Sequence, residues 1–131
     1  MNWNVVSSLL SLISILVAVA TFFSDRKRAM KVDTIKELNR ILDRYYEIRD
    51  LDLNKNYKEF CALTSDISRF AYAVNTGVYD SKIVKERASR TFLKMYEMFM
   101  KSVIEKHRLQ FKDKTYYQEI ETMLNSFQQT K

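Results

Sequence analysis

The side chains of this chain best placed to do chemistry are hydroxyls inside an apolar run. No residue from Val5 to Phe23 is charged, yet the run contains Ser7, Ser8, Ser11, Ser14 and Thr21. Asn4, Ser7, Ser11, Ser14, Ala18, Thr21 and Asp25 follow one another in alternating steps of 3 and 4. On a helix that spacing puts them on one face, with Ser8 and Ser24 beside it. Such a seam has three uses. It can bond to another helix, where small residues permit close approach. It can line water if several copies enclose it, because polar surface open to lipid is unfavourable. Each hydroxyl can also bond its own helix backbone and do neither. In the second case Asn4 and Asp25 stand at the two mouths, and a ring of Asp25 carboxylates favours cations. The expected pore-lining set is Asn4, Ser7, Ser11, Ser14, Thr21 and Asp25.

A second set is basic. Residues 82–114 hold ten Lys or Arg and four acids, an excess equal to the formal charge of the whole chain, +6. Basic surface concentrates anions and binds phosphate backbones. Arg87, Arg90, Lys94, Lys101, Lys106 and Arg108 are the expected anion-binding residues. The competing reading is a solvated helix face, stabilised by the pairs Glu86–Arg90 and Glu97–Lys101 or resting on lipid headgroups. Tyr79, Tyr96, Tyr116 and Tyr117 either stack on bases, as in single-strand binders, or finish the rim of a core. No recognised nucleic-acid motif is present.

Other chemistries lack their parts. His107 is the sole histidine and Cys61 the sole cysteine, so a metal site or an assisted nucleophile is short of partners. His107 is expected at the surface near a helix end, and Cys61 as an inert core residue. There is no glycine loop to hold a phosphate. The expectation is a non-enzyme with no cofactor and no metal.

The elements that position these groups are helices. One glycine and no proline in 131 residues leave little material for tight turns. The 19 uncharged positions from Val5 to Phe23 span roughly 28 Å as a helix, near the thickness of a bilayer core. Trp3, Phe22 and Phe23 suit its interfaces. Arg26, Lys27, Arg28 and Lys31 follow at once, which places the N-terminus outside and the remainder in the cytoplasm. A cleaved signal peptide is the rival, but its basic flank would precede the apolar run.

The helical pattern continues through Val32, Ile35, Leu38, Leu42 and Tyr45, with Ile41 and Ile48 beside it, so one helix runs from near Trp3 to near Arg49. Asn56 with Glu59 reads as a capping box for a helix to Thr76. Gly77 then supplies a left-handed C-cap, with Val78 packing back. Asp80 or Ser81 caps a third helix, Lys82 to about Leu109, which turns Val84, Ala88, Phe92, Met95, Phe99 and Val103 inward. Thr115 with Gln118 reads as the cap of a fourth, which carries Tyr116, Ile120, Met123, Leu124 and Phe127. The predicted class is all-α: an N-terminal transmembrane helix, residues 1–25, continuing into a cytosolic four-helix bundle, residues 26–131. Gln128 to Lys131 is expected to fray.

At Phe70-Ala-Tyr-Ala-Val-Asn-Thr-Gly-Val-Tyr-Asp80, followed by a long charged helix, the chain resembles small bacterial single-pass membrane proteins with a helical cytosolic domain of unknown function. The whole layout is also similar to Hailong-type anti-phage membrane channel effectors. That resemblance implies a tetramer in the bacterial inner membrane, a central pore, and an electropositive chamber that binds single-stranded DNA oligomers. It assigns no individual binding residue. The alternative that remains is a membrane-tethered interaction module without conduction.

Overall fold

A computed structural model describes residues 2–129, and among these there are helices and turns but no strand. α1 is one unbroken helix, Trp3–Ile48, 46 residues long. Asn2 caps it, its side chain accepting the Asn4 N–H at 3.1 Å. Nothing between Met1 and Thr76 is Gly or Pro, so no residue forces a break where the apolar run ends. α2 is Tyr57–Asn75, α3 Ser81–Met95, α4 Lys101–Phe111 and α5 Gln118–Gln128. A π-helical turn, Tyr96–Met100, joins α3 to α4, so that the two form one rod. The fold is the expected one, a long apolar helix continuing into a bundle of helices. Within it α1 and α5 each pack against α2 and α3, and so stand diagonally opposite.

The core forms where apolar stripes meet. α2 contributes Phe60, Leu63, Ile67, Phe70, Ala71 and Val74, and α5 contributes Ile120, Met123, Leu124 and Phe127. α1 contributes Leu38, Ile41, Tyr45 and Ile48, with Thr34 at the near end. This differs from the expected stripe. Val32 is 63% exposed, Ile35 and Leu42 are half-buried, and Ile41 lies at the centre of the contact. Two helices press on α1, and the line between them selects the buried face, which the sequence of α1 alone does not determine.

The third rod departs from regular helix for a related reason. Its inward residues run Val84, Ala88, Phe92, Met95 and Phe99, then resume at Met100, Val103 and Ile104. The pattern gains one residue at Phe99–Met100. A π turn absorbs one extra residue, which keeps both in the core and sets Phe99 against Tyr45 and Phe60, ring centroids 6.2 and 5.0 Å away.

The helix ends follow local chemistry in part. α2 closes through the Val78 N–H to the Ala73 carbonyl (2.9 Å) and the Gly77 N–H to the Val74 carbonyl (3.2 Å). Gly77 has φ +80°, the left-handed geometry that favours glycine. Asp80 caps α3, accepting the Lys82 and Ile83 N–H groups at 3.0 and 3.4 Å. The two expected capping boxes do not form. Asn56 makes no cap bond; its amide instead donates to the Asp52 carbonyl at 3.0 Å. Thr115 is held by Asp113, whose carboxylate accepts its N–H and its hydroxyl. That turn uses two left-handed residues that are not glycine, Lys112 (φ 52°) and Tyr117 (φ 62°). The fraying expected at the C-terminus falls partly outside the described residues.

Candidate functional site

The N-terminal half of α1 is long and apolar enough to cross a membrane, and none of that stretch is buried. Asn4, Ser7, Ser11, Ser14, Thr21 and Asp25 are all exposed. Ser7, Ser11 and Ser14 line one shallow groove with Trp3, Leu10 and Ile15. Only Ser8, beside the seam, bonds its own backbone, donating to the Asn4 carbonyl at 2.8 Å. Among the described residues, Ser7, Ser11, Ser14 and Thr21 make no such bond, although Thr34, Thr64 and Thr76 on the same fold do.

The direction of the seam follows from helix geometry. Ser14, mid-seam, and Ile41, mid-core, are 27 residues apart, about seven and a half turns at 3.6 residues per turn. They therefore lie on opposite sides of α1. The chain's own bundle grows from the face opposite the hydroxyls and does not reach round to shield them. Below the apolar run the same face continues through exposed Val32, Lys36, Asn39, Asp43 and Tyr46.

The basic residues divide into two groups. Arg87, Arg90 and Lys94 are exposed along the outer face of α3, at the 3–4 spacing of one line. Neither Glu86–Arg90 nor Glu97–Lys101 closes as an ion pair; the pairs that form involve other residues. Lys101 is also exposed, but the extra residue of the π turn rotates it about 100° off that line. Lys106 and Arg108 are engaged in structure. The Lys106 ammonium lies 4.8 Å from the centroid of the Tyr57 ring. Arg108 donates to the Tyr116 carbonyl at 2.9 Å and pairs with Glu121. The open basic line is thus Arg87–Arg90–Lys94, on α3, a helix that packs beside α1.

Two clusters were not legible beforehand. Asp66 on α2, 11% exposed, accepts Arg44 at 2.7 Å, stands 3.7 Å from Arg40 and pairs with Arg69. These contacts tie α1 to α2 with charge-assisted bonds. The spacing 40–44 on one helix and 66–69 on the next was the available signal. His107 is half-buried rather than at the open surface. The rings of Tyr117, Tyr116, Phe111 and Tyr57 stand 5.4 to 6.5 Å from it. Its Nε2 is 4.0 Å from the Cys61 sulfur, and its Nδ1 is buried without a partner among the described residues.

Burial around this box shifts the tyrosines. Desolvation pushes Tyr57 up to about 12, with Cys61 adding to the effect. Desolvation likewise raises Tyr117, against a smaller opposing effect of its hydrogen bond with Ser65. Among the described residues no group of three or more His, Cys, Asp or Glu is placed to hold a metal.

A family profile described as a domain of unknown function, DUF4760, matches residues 8–127. The match begins within the hydroxyl-bearing run, so the apolar helix and the bundle fall in one family unit. No curated protein and no solved structure matches the chain. With the match covering 120 of the 131 residues, 8 to 127, the chain belongs to the DUF4760 family.

Proposed function

We propose that this protein assembles with copies of itself in a bacterial inner membrane, N-terminus outside, and that the seam of α1 lines a water-filled path for ions. An anionic ligand on α3, of which an oligonucleotide is the leading class, biases the path between open and closed. The role fits a toxic effector of anti-phage defence, as the layout described above implies. One observation carries the proposal. Ser7, Ser11, Ser14 and Thr21 face away from the bundle and, among the described residues, bond nothing in their own helix. In hydrocarbon a hydroxyl without a partner is unfavourable, so neighbouring copies turn these faces toward one another. Asn4 and Asp25 then ring the two mouths.

The basic cluster Arg26, Lys27, Arg28 and Lys31 supports the orientation. The open line Arg87–Arg90–Lys94 supports the ligand class: three cations without a carboxylate partner among the described residues attract a polyanion. In such an assembly the line lies on each subunit's flank, where adjacent bundles face each other. A ligand held there shifts the equilibrium only by binding the two arrangements unequally.

The test is release of a trapped ion or small dye from liposomes carrying the purified protein. Release is expected, and Ser11→Leu with Ser14→Leu should abolish it while the protein still inserts. Tight liposomes at high protein density would leave the membrane-tethered interaction module as the reading.

A further inference from the structure

We propose that the end of the bundle nearest the apolar run is a second membrane contact, a surface that rests on anionic lipid headgroups and fixes the bundle against the bilayer. The inference rests on α1 spanning the membrane. The α2–α3 turn folds back beside the start of the basic cluster: Thr76, Gly77 and Val78 line a groove with Arg26, Ala29 and Met30 of α1. Arg26 and Met30 are 3 and 7 residues past Phe23, about 5 and 10 Å along the helix axis, so the groove runs from the headgroup layer to its aqueous edge. The turn is fastened there. The Asp80 N–H donates to Thr34 Oγ1 at 2.8 Å, and Thr34 is fully buried.

Two features of this end match a headgroup surface. Val78, at the tip of the turn, is 61% exposed. In this type of helix ending the residue at that place commonly packs back on its helix. Here it stands out beside the membrane-facing end of α1, where an apolar side chain gains from contact with lipid. The second feature is charge. A groove between α3 and α5 presents Lys82, Lys85, Ser81, Ser89 and Ser126. With Arg26, Lys27, Arg28 and Lys31 these lysines outnumber the local acids Asp25, Asp33, Asp80 and Glu86. Asp80, moreover, is occupied by the N–H groups of α3. Ammonium, guanidinium and hydroxyl groups at the start of α3 and of the basic cluster are the donors a phosphate headgroup accepts, and each lysine at the surface favours contact by about fivefold.

The experiment uses the full chain with Cys61→Ala. A polarity-sensitive dye is attached at Leu12→Cys, Val78→Cys or Leu109→Cys in separate samples. Each is reconstituted into phosphatidylcholine vesicles with or without phosphatidylglycerol, containing lipids that carry a quencher at the headgroup or mid-chain. The label at 12 should be quenched from mid-chain, and the label at 78 from the headgroup and more strongly with phosphatidylglycerol. The label at 109, at the far end of α4, should respond only to aqueous iodide. Lys82→Gln with Lys85→Gln should remove the phosphatidylglycerol effect at 78. A label at 78 that behaves like the one at 109 overturns the proposal while leaving the span intact. Quenching at 78 indifferent to phosphatidylglycerol overturns the anionic assignment. A label at 12 beyond the reach of mid-chain quencher overturns the membrane span, and the proposed function with it.

Discussion

Thr34→Val should unfasten the α2–α3 turn from α1. Thr34 Oγ1 donates to the Met30 carbonyl at 2.7 Å and accepts the Asp80 N–H at 2.8 Å. Valine keeps the shape and removes both bonds. Losing the first matters little, because the Met30 carbonyl keeps its place in the ladder of α1. Losing the second leaves the Asp80 N–H, part-buried at the start of α3, without an acceptor. A donor stranded in that way costs about 1–3 kcal/mol. Thr64 provides the comparison. It is equally buried, but its hydroxyl only donates to the Phe60 carbonyl of its own helix, at 2.7 Å. Thr64→Val strands nothing and should change stability by less than about 0.5 kcal/mol.

Thermal unfolding of the bundle in detergent, followed by near-ultraviolet circular dichroism of its tyrosines, separates the two variants. A loss of about 2 kcal/mol lowers the midpoint of a bundle this size by about 10 °C. Equal midpoints for Thr34→Val and Thr64→Val would refute the reasoning, because Asp80 would then not depend on Thr34.

Lys112 is exposed and left-handed at φ 52°, so Lys112→Gly should stabilise the bundle by about 1 kcal/mol in urea titration. Tyr117 shares that geometry, but its ring packs on the core and its hydroxyl meets Ser65 at 3.1 Å; Tyr117→Gly should therefore destabilise in the same titration. Arg90→Gln with Lys94→Gln should weaken binding of a fluorescent oligonucleotide and flatten its salt dependence without moving the unfolding midpoint. Arg108→Gln should instead cost about 1.5 kcal/mol of stability through its lost bonds to Tyr116 and Glu121. Tyr57 has a folded pKa of about 12 against a usual 10.0. The folded state keeps this proton while the unfolded state releases it, so the contribution is whole below pH 10 and is lost as pH rises toward 12. Stability measured across that interval should fall less steeply in Tyr57→Phe.

The helical class was legible because one glycine and no proline leave no other economical chain path. The extent of α1, the left-handed Gly77 and the Asp80 cap were legible because each depends on residues within a few positions of one another. What escaped depends on distant partners. The buried face of α1 turned toward Ile41 because both α2 and α3 press there. The π turn exists because Phe99 and Met100 both have places in the core, that of Phe99 supplied by Tyr45 and Phe60. Asp113 displaced Thr115 as the acceptor in the last turn because its carboxylate reaches both the N–H and the hydroxyl. His107 left the surface because Tyr57, Tyr116 and Tyr117 come from other segments to enclose it. The seam and the basic segment could be listed from sequence, but their directions could not. Only the phase of α1 relative to its bundle sends the hydroxyls outward, and only the contacts of Arg108 and Lys106 remove them from the open basic line.

Proximity of seam to seam is the most direct test. In a Cys61→Ala background, Ser14→Cys and Leu12→Cys place one thiol on the hydroxyl face or nearly opposite it, and native membranes are treated with a short bifunctional thiol reagent. Cross-linking of Ser14→Cys into pairs of chains, with Leu12→Cys remaining single, is the predicted result. Single chains in both samples, at densities where the protein is abundant in the membrane, would contradict the claim that neighbouring copies cover the hydroxyls.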